Sequence, residues 1–193
     1  MRLPGRDADR IGSQDKPILF VVGSGRSGTT LLYEILCSDP TATWVSNYSQ
    51  RAAKLAGLHP HGPTAFKGSG SRLAVRPVEG YRLFDRIRPP STDGRGDAVL
   101  SGEDLSDAER LALKRAVDHH LSRRGAWYFV NKNTRNTRRV GYLTAAFPDA
   151  RVAHVVRHPV AAVGSMLAVP FFDEVRVWWL GGARVADLVS GGL

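Results

Sequence analysis

The sequence has little that would tie it to a membrane or to an oxidising compartment. It contains one cysteine, Cys37, in 193 residues, which excludes an internal disulfide and makes a cytoplasmic location the default expectation. No apolar run approaches the roughly 18 residues that a membrane-spanning helix requires. The N-terminal segment MRLPGRDADRIGSQDK is polar and lacks the apolar centre of a secretory signal. We therefore interpret residues 1–16 as a polar tail and residues 17–193 as one domain.

Acidic residues are scarce beside basic ones, 18 against 27, and the net charge is +9. This excess favours an anionic partner, either nucleic acid or a small polyanionic cofactor. The chain lacks the aromatic platforms of single-strand binders and any recognisable groove-reading motif, so a specific nucleic-acid partner is not expected. Arginines concentrate in two regions: Arg72, Arg76, Arg82, Arg86 and Arg88 in the first, and Arg135, Arg138 and Arg139 in the second.

Apolar segments of strand length alternate with helical patterns along the chain. The pattern predicts strands over 18–22, 41–46, 127–131 and 152–156, and helices over 29–36, from about 106 to 125, 135–147 and 159–167. Ser106 and Glu109 are predicted to form a capping box at the start of the second helix, and Gly125 is its predicted end. Residues 49–103 are rich in Pro, Gly, Arg and His and are predicted to be irregular. Strands that alternate with helices predict an α/β fold: three-layer and P-loop-like, with a short parallel sheet flanked by helices.

Several side chains are predicted to be buried. Cys37 is expected to be a small core residue. The expected buried faces of the helices are Leu31, Leu32, Ile35 and Leu36 in the first, Leu113, Val117 and Leu121 in the second, and Val140, Leu143 and Phe147 in the third.

The string GSGRSGTT (23–30) directly follows the apolar run PILFVV. A strand that feeds a glycine loop and then a helix forms an anion site, because backbone N–H groups and the helix N-terminus point at the ligand. The string fits a P-loop template except that Thr29 stands where a nucleoside triphosphatase has its lysine, while a cation appears earlier, at Arg26. The apolar strand VAHVV also ends in Arg157 and His158 rather than in a metal-positioning aspartate. Both differences argue against a triphosphate held with magnesium.

A second candidate site lies in VVRHPVAAVGSML (155–167). Arg157 follows a predicted strand at the end where open α/β sheets bind ligands. Ser165 follows eight residues later, on the helix that Pro159 opens. An arginine can bind a phosphate with two parallel hydrogen bonds, and a serine hydroxyl can add a third.

Together, the two windows resemble the bacterial type of sulfotransferase that uses 3′-phosphoadenosine 5′-phosphosulfate (PAPS). PILFVVGSGRSGTTLLYEIL is similar to the family's 5′-phosphosulfate loop, and VAHVVRHPVAAVGSML to its 3′-phosphate motif. KNTRNTRRVGYLTAAFPDARVAHVVRHP is similar to the segment before that motif. The resemblance implies metal-free sulfuryl transfer from PAPS to a hydroxyl or amine of a small-molecule or glycan-like acceptor. The cofactor-binding residues that it implies are Gly25, Arg26, Ser27, Gly28, Thr29, Thr30, Arg157 and Ser165.

The resemblance also implies catalytic roles. Arg26 would neutralise the 5′-phosphate and the charge that develops as the sulfuryl group leaves. Lys132 matches a family position that faces the transferring group. A general base is needed to take the acceptor's proton, and Glu79, in a Pro-x-Glu element that recurs in bacterial relatives, is the leading candidate. His59 and His61 are the alternatives.

The resemblance also implies a departure from the family pattern, since by comparison with that pattern we expect the chain to be short of the usual C-terminal third. We expect an apolar cluster in its last part, made of Phe171, Phe172, Val177, Trp178, Trp179 and Leu180, to promote self-association. Other interpretations therefore remain: a degenerate nucleotide kinase or other nucleotide-binding P-loop protein that needs magnesium, a basic nucleic-acid-binding module, or an inactive truncated sulfotransferase. Acceptor identity and oligomeric state do not follow from the sequence.

Overall fold

The computed structural model describes residues 16–51, 75–89, 99–124 and 126–169. Its four strands are β1 (Ile18–Val22), β2 (Ala42–Thr43), β3 (Tyr128–Lys132) and β4 (Arg151–His154). They form one parallel sheet in the order β2-β3-β1-β4. The α-helices are α1 (Thr29–Cys37), α2 (Tyr81–Ile87), α3 (Asp107–Arg124), α4 (Val140–Ala146) and α5 (Pro159–Leu167), and a 3₁₀ helix (Thr134–Arg138) precedes α4.

Side chains alternate between the two faces of the sheet along the central strands, so both faces carry apolar residues. Helices pack on both faces. Phe20 and Phe129 belong to one core cluster, which also contains Phe84 of α2, Leu113 of α3 and Leu143 of α4. The second cluster lies on the other face, where Val21 and Val130 pack with Tyr33, Cys37 and Trp44. The predicted three-layer α/β fold with a parallel sheet is confirmed, and Cys37 is the buried core residue that we expected.

The predicted buried face of α1 is wrong in part. Its buried residues are Thr29, Tyr33 and Cys37, which recur every four positions and so share one side of the helix. Leu31 and Ile35, which we expected in the core, are exposed on another side of the helix. The apolar residues of α1 form a band wider than the sheet can cover, so periodicity alone did not select the buried stripe.

Element boundaries account for most of the other differences. Only Ala42–Thr43 of the predicted strand 41–46 pairs with β3, because the chain then turns and Val45 O accepts a hydrogen bond from Val78 N. The predicted helix 135–147 is divided at Arg139 into the 3₁₀ helix and α4. The segment 49–103, predicted to be irregular, contains α2. The Ser106–Glu109 capping box at the start of α3 is confirmed by reciprocal hydrogen bonds.

Some predictions fall outside the described residues. These are the polar tail up to residue 15, the alternative bases His59 and His61, the helix stop at Gly125, and the apolar cluster between Phe171 and Leu180. In the part of the chain that the structure describes, no helix is both long and apolar enough to cross a membrane.

His120 joins α3 to the turn that follows β2. Its Nδ1 lies 2.7 Å from the Ala116 carbonyl oxygen, and its Nε2 lies 3.0 Å from Ser49 Oγ. A carbonyl can only accept, so Nδ1 carries the proton, and the neutral ring can accept from the Ser49 hydroxyl through Nε2. Burial, the largest effect, lowers the pKa of His120 below its ordinary value.

The depressed pKa predicts that acid destabilises the fold through His120. In the unfolded chain the His120 ring takes up a proton at about pH 6.5, whereas in the folded chain it stays neutral to a lower pH. The free energy of unfolding therefore falls as the pH falls through this range. We expect the free energy of unfolding, measured with urea at about pH 7.5 and about pH 5.5, to fall less in His120→Gln than in the wild type. His154→Gln, an exposed position on β4, is the control and should keep the wild-type dependence. An unchanged pH dependence in His120→Gln would contradict this role.

Gly23 lies where the chain leaves β1, and its backbone has φ +150°. A Cβ at this position would lie 2.5 Å from the Val155 carbonyl oxygen. We therefore expect Gly23→Ala to destabilise the protein by about 1–3 kcal/mol in urea unfolding. The matched change is Gly164→Ala on α5, where a Cβ meets no atom within 4 Å and should stabilise by about 0.5–1 kcal/mol. Equal effects at the two glycines would disprove the close approach at Gly23.

Candidate functional site

The loop between β1 and α1 presents its backbone at the N-terminus of a helix. Arg26 has φ 63° and Gly28 has φ 99°, so the chain passes twice through the left-handed region. Gly28 is the N-cap of α1 and has no side chain to satisfy the first N–H groups, and the first turn contains no acid. Uncapped N–H groups and the positive end of the helix dipole favour an anion at this position.

Thr137 of the 3₁₀ helix holds the start of this loop. Its hydroxyl accepts a hydrogen bond from Gly23 N (2.9 Å) and donates one to Gly23 O (3.0 Å). Within the loop, the Ser27 hydroxyl donates to Ser24 O over 2.7 Å. Of the hydroxyl groups predicted to meet a phosphate, those of Ser27 and Thr29 belong to buried residues, whereas Thr30 is exposed.

The two sequence motifs meet in space. Arg26 Nε donates a hydrogen bond of 3.1 Å to Ser165 Oγ on α5, although the two residues are 139 positions apart. Arg157 Nη1 donates to the backbone oxygen of Arg26, also over 3.1 Å. This contact is possible because β4 lies beside β1 in parallel, so the segments that follow both strands reach the same edge of the sheet. Arg26, Arg157 and Ser165 are therefore neighbours.

A second cluster forms around Glu79 and Lys132. Lys132 Nζ lies 2.6 Å from Glu79 Oε1, and the side chains are 6% and 28% exposed, respectively. Glu79 precedes α2, and Lys132 is the last residue of β3. The end of β3 also binds the backbone of Glu79, because the side-chain amides of Asn131 and Asn133 both donate hydrogen bonds of 3.2 Å to the Glu79 carbonyl oxygen.

The other carboxylate oxygen of Glu79 is held by two residues that the sequence did not single out. Tyr81 OH donates to Glu79 Oε2 over 2.6 Å, and Thr134 N donates to the same atom over 3.2 Å. Burial, followed by the negative charge of Glu79, raises the pKa of Tyr81, so its hydroxyl stays protonated and remains a donor. The guanidinium of Arg135 lies 4.9 Å from the centre of the Tyr81 ring and makes an ion pair with Asp85.

A cavity of about 520 Å³ lies beside the Glu79 cluster and reaches the string 23–30 at its last residue, Thr30, whereas Arg26 does not line it. Thr30 and Glu34 of α1 line it on one side, and Glu79, Tyr81 and Lys132 line it elsewhere. The predicted catalytic residues Glu79 and Lys132 and the predicted phosphate ligand Thr30 thus share one space. Within the described ranges, no group of three His, Cys, Asp or Glu side chains could hold a metal ion.

Sequence reasoning missed Tyr81, Thr134 and Thr137. Thr134 and Thr137 lie in the string KNTRNTRR, which we quoted only for its resemblance to known proteins. Tyr81 and Asp85 are four residues apart, a spacing that places two side chains on one face of a helix. This spacing could have predicted that Tyr81 lies on a helix.

Comparisons with known proteins bear on the family and on the fold of this chain. A sequence profile described as the sulfotransferase family matches residues 17–184. Two solved structures have a similar fold. Sulfotransferase STF1 from Mycobacterium tuberculosis H37Rv is 19% identical with a TM-score of 0.51, and the match covers 74% of this chain and 46% of that one. Sulfotransferase STF9 from Mycobacterium avium is 18% identical with a TM-score of 0.54, and the match covers 88% and 48%.

The chain spans about half the length of these two sulfotransferases. No curated protein matched its sequence. The family profile, however, extends over most of the chain and includes both motifs and Glu79. The chain therefore belongs to the sulfotransferase family.

Proposed function

We propose that this protein transfers a sulfuryl group from PAPS to a hydroxyl or amine acceptor, in the cytoplasm and without a metal ion. The loop from Gly25 to Thr30 would bind the 5′-phosphosulfate, and Arg157 and Ser165 would bind the 3′-phosphate. The acceptor would be a small molecule or a glycan-like compound that enters the cavity beside Glu79.

One observation carries the proposal: Arg26 contacts Ser165, and Arg157 contacts Arg26. A single nucleotide with phosphates at both ends of its ribose would span the two motifs at this point. Two arginines and an uncapped helix N-terminus supply positive charge there, with no magnesium needed to neutralise the ligand.

The chemical step follows from the second cluster. The acceptor's oxygen or nitrogen forms a bond to sulfur while the bond from sulfur to the bridging phosphate oxygen breaks. Adenosine 3′,5′-bisphosphate then leaves, and the acceptor's proton passes to the Glu79 carboxylate. Arg26 would stabilise the charge on the leaving oxygen, and Lys132 would stabilise the sulfuryl oxygens.

Both carboxylate oxygens of Glu79 accept hydrogen bonds, so Glu79 must lose one of these partners before it can take the acceptor's proton. Lys132 occupies Oε1, whereas Tyr81 and Thr134 N occupy Oε2. If Lys132 turns toward the sulfuryl group, Oε1 becomes available to the acceptor's proton while the carboxylate stays oriented through Oε2. The same lysine would thus couple occupation of the donor site to activation of the base.

We expect adenosine 3′,5′-bisphosphate to bind in isothermal titration calorimetry with equal affinity in EDTA and in magnesium. Arg157→Ala should weaken binding by about 10- to 100-fold, as expected for the loss of hydrogen bonds to a charged group. Arg151→Ala, an exposed position at the opposite end of β4, is the control and should bind as the wild type does. A magnesium requirement would favour the kinase interpretation, and unchanged binding by Arg157→Ala would refute the 3′-phosphate site.

Glu79→Gln should lower sulfuryl transfer about 10²- to 10⁴-fold, because the neutral amide cannot accept the acceptor's proton. The measurement is transfer of radiolabelled sulfate from PAPS to a panel of phenols, sugars and amines, with calorimetry showing that bisphosphate still binds. Glu34→Gln changes a carboxylate in the same cavity and should have the smaller effect. A greater loss in Glu34→Gln would assign the base to Glu34 instead.

A further inference from the structure

The 3₁₀ helix Thr134–Arg138 contacts both halves of the candidate site. Such a helix has three residues in each turn, so side chains three positions apart, as in Thr134 and Thr137, lie on the same side. The Thr134 hydroxyl lies 2.8 Å from Tyr81 OH, and the backbone N–H of Thr134 donates to Glu79 Oε2. The Thr137 hydroxyl binds Gly23 at the start of the loop after β1. One short helix therefore contacts the Glu79 cluster and this loop.

The sheet in turn fixes the position of the 3₁₀ helix. Asn133 caps the helix, because its side-chain oxygen accepts a hydrogen bond of 3.0 Å from Arg135 N. Asn136 is buried, and its side-chain amide donates to Asn131 Oδ1 over 3.3 Å. Asn131 belongs to β3, which pairs with β1 in the centre of the sheet. The two threonines are thus held at a defined distance from the central strands.

The phosphate loop, which we define as residues 23–28 between β1 and α1, depends on Thr137. Gly23 is buried, and the Thr137 hydroxyl accepts from its N–H and donates to its oxygen. Without the hydroxyl, two buried backbone groups would lose this partner, which is unfavourable.

The backbone further along the phosphate loop is also unfavourable by itself. Arg26 and Gly28 have left-handed backbone angles, and a residue with a Cβ adopts these at a cost. A loop of this kind that is not held at its start must become ordered when a ligand binds. The entropy lost in this ordering weakens binding, so a contact that orders the loop beforehand strengthens it.

Building on the proposed function, we propose that the 3₁₀ helix positions both reactants' sites through two different residues. Thr137 is a positioning residue for donor binding, because it holds the phosphate loop in the conformation that binds the 5′-phosphosulfate. Thr134 is a positioning residue for the base, because it holds Tyr81 and the carboxylate of Glu79. Each threonine acts through the group that it holds rather than through contact with the reacting atoms.

Thr137→Val tests the first role, because valine has nearly the same shape and lacks the hydroxyl. Calorimetry should show that it binds adenosine 3′,5′-bisphosphate about tenfold more weakly than the wild type. Amide hydrogen exchange of residues 23–28 in the ligand-free protein should be faster. Thr137→Ser keeps a hydroxyl and should restore both properties. Thr144→Val is the matched control, since the Thr144 hydroxyl donates to carbonyl oxygens of its own helix, α4, and it should behave as the wild type does.

Thr134→Val tests the second role. It leaves the contact between Thr137 and Gly23 in place, so its bisphosphate affinity should equal that of the wild type. Sulfuryl transfer at saturating PAPS should fall about 3- to 10-fold, because Tyr81 loses a hydrogen-bond partner and orients Glu79 less well. Thr134→Ser should restore the rate.

Equal bisphosphate affinity in Thr137→Val and the wild type overturns the proposal, as does binding by Thr137→Ser as weak as that by Thr137→Val. An equal loss of affinity in Thr134→Val also overturns it, because the two threonines would then not act on different sites. If circular dichroism shows Thr137→Val to be unfolded, Thr137→Ala takes its place, and failure of both variants to fold assigns Thr137 to folding alone. Absence of bisphosphate binding by the wild type counts against the proposed function, whereas hydrogen exchange in the ligand-free variants still decides whether Thr137 holds the phosphate loop.

Discussion

Lys132 Nζ lies 2.6 Å from Glu79 Oε1, and the lysine side chain is almost entirely buried. A buried ammonium group without a carboxylate partner would cost several kcal/mol, roughly 3–5 when a pair is broken. The segment that carries Glu79 must therefore dock at the end of β3. Asn131 and Asn133 secure the same segment through the Glu79 carbonyl oxygen. Docking of this segment places α2, and with it the cavity.

The two halves of the candidate site follow from one property of the sheet. All four strands are parallel, so the segments after β1, β3 and β4 reach the same edge. The loop after β1 supplies Arg26, the segment after β4 supplies Arg157, and β3 ends in Lys132. Thr137, just beyond β3, binds both the backbone N–H and the backbone oxygen of Gly23. It therefore joins the segment after β3 to the loop after β1.

The fold could be predicted because strand-length apolar segments alternate with helical patterns, most clearly at β1, which is wholly apolar and lies between Pro17 and Gly23. The predicted β1 is observed without change, and α5 begins at Pro159 and ends at Leu167 as expected. The loop and the Arg157–Ser165 pair could be singled out for the same reason, since both follow strands directly. The buried face of α1 could not, because Leu31 and Ile35 are as apolar as the residues that pack on the sheet.

The sequence by itself determined the layer order and the choice of the glycine loop, with Arg26, and of Arg157 as candidates for binding an anion. These choices depend on local patterns, such as strand length, glycine position and charge, whereas Lys132 and Glu79 became candidates through the resemblance to sulfotransferases. Only the tertiary structure decided that Glu79 pairs with Lys132, that Tyr81 and Thr134 orient its carboxylate, and that Asp85 is engaged by Arg135. Tyr81 and Glu79 are two positions apart, but the other contacts join residues of α2 or its approach to β3 and the 3₁₀ helix, 50 to 55 positions away in the chain. Such pairings depend on which helix packs against which strand, and local periodicity carries no information about that choice.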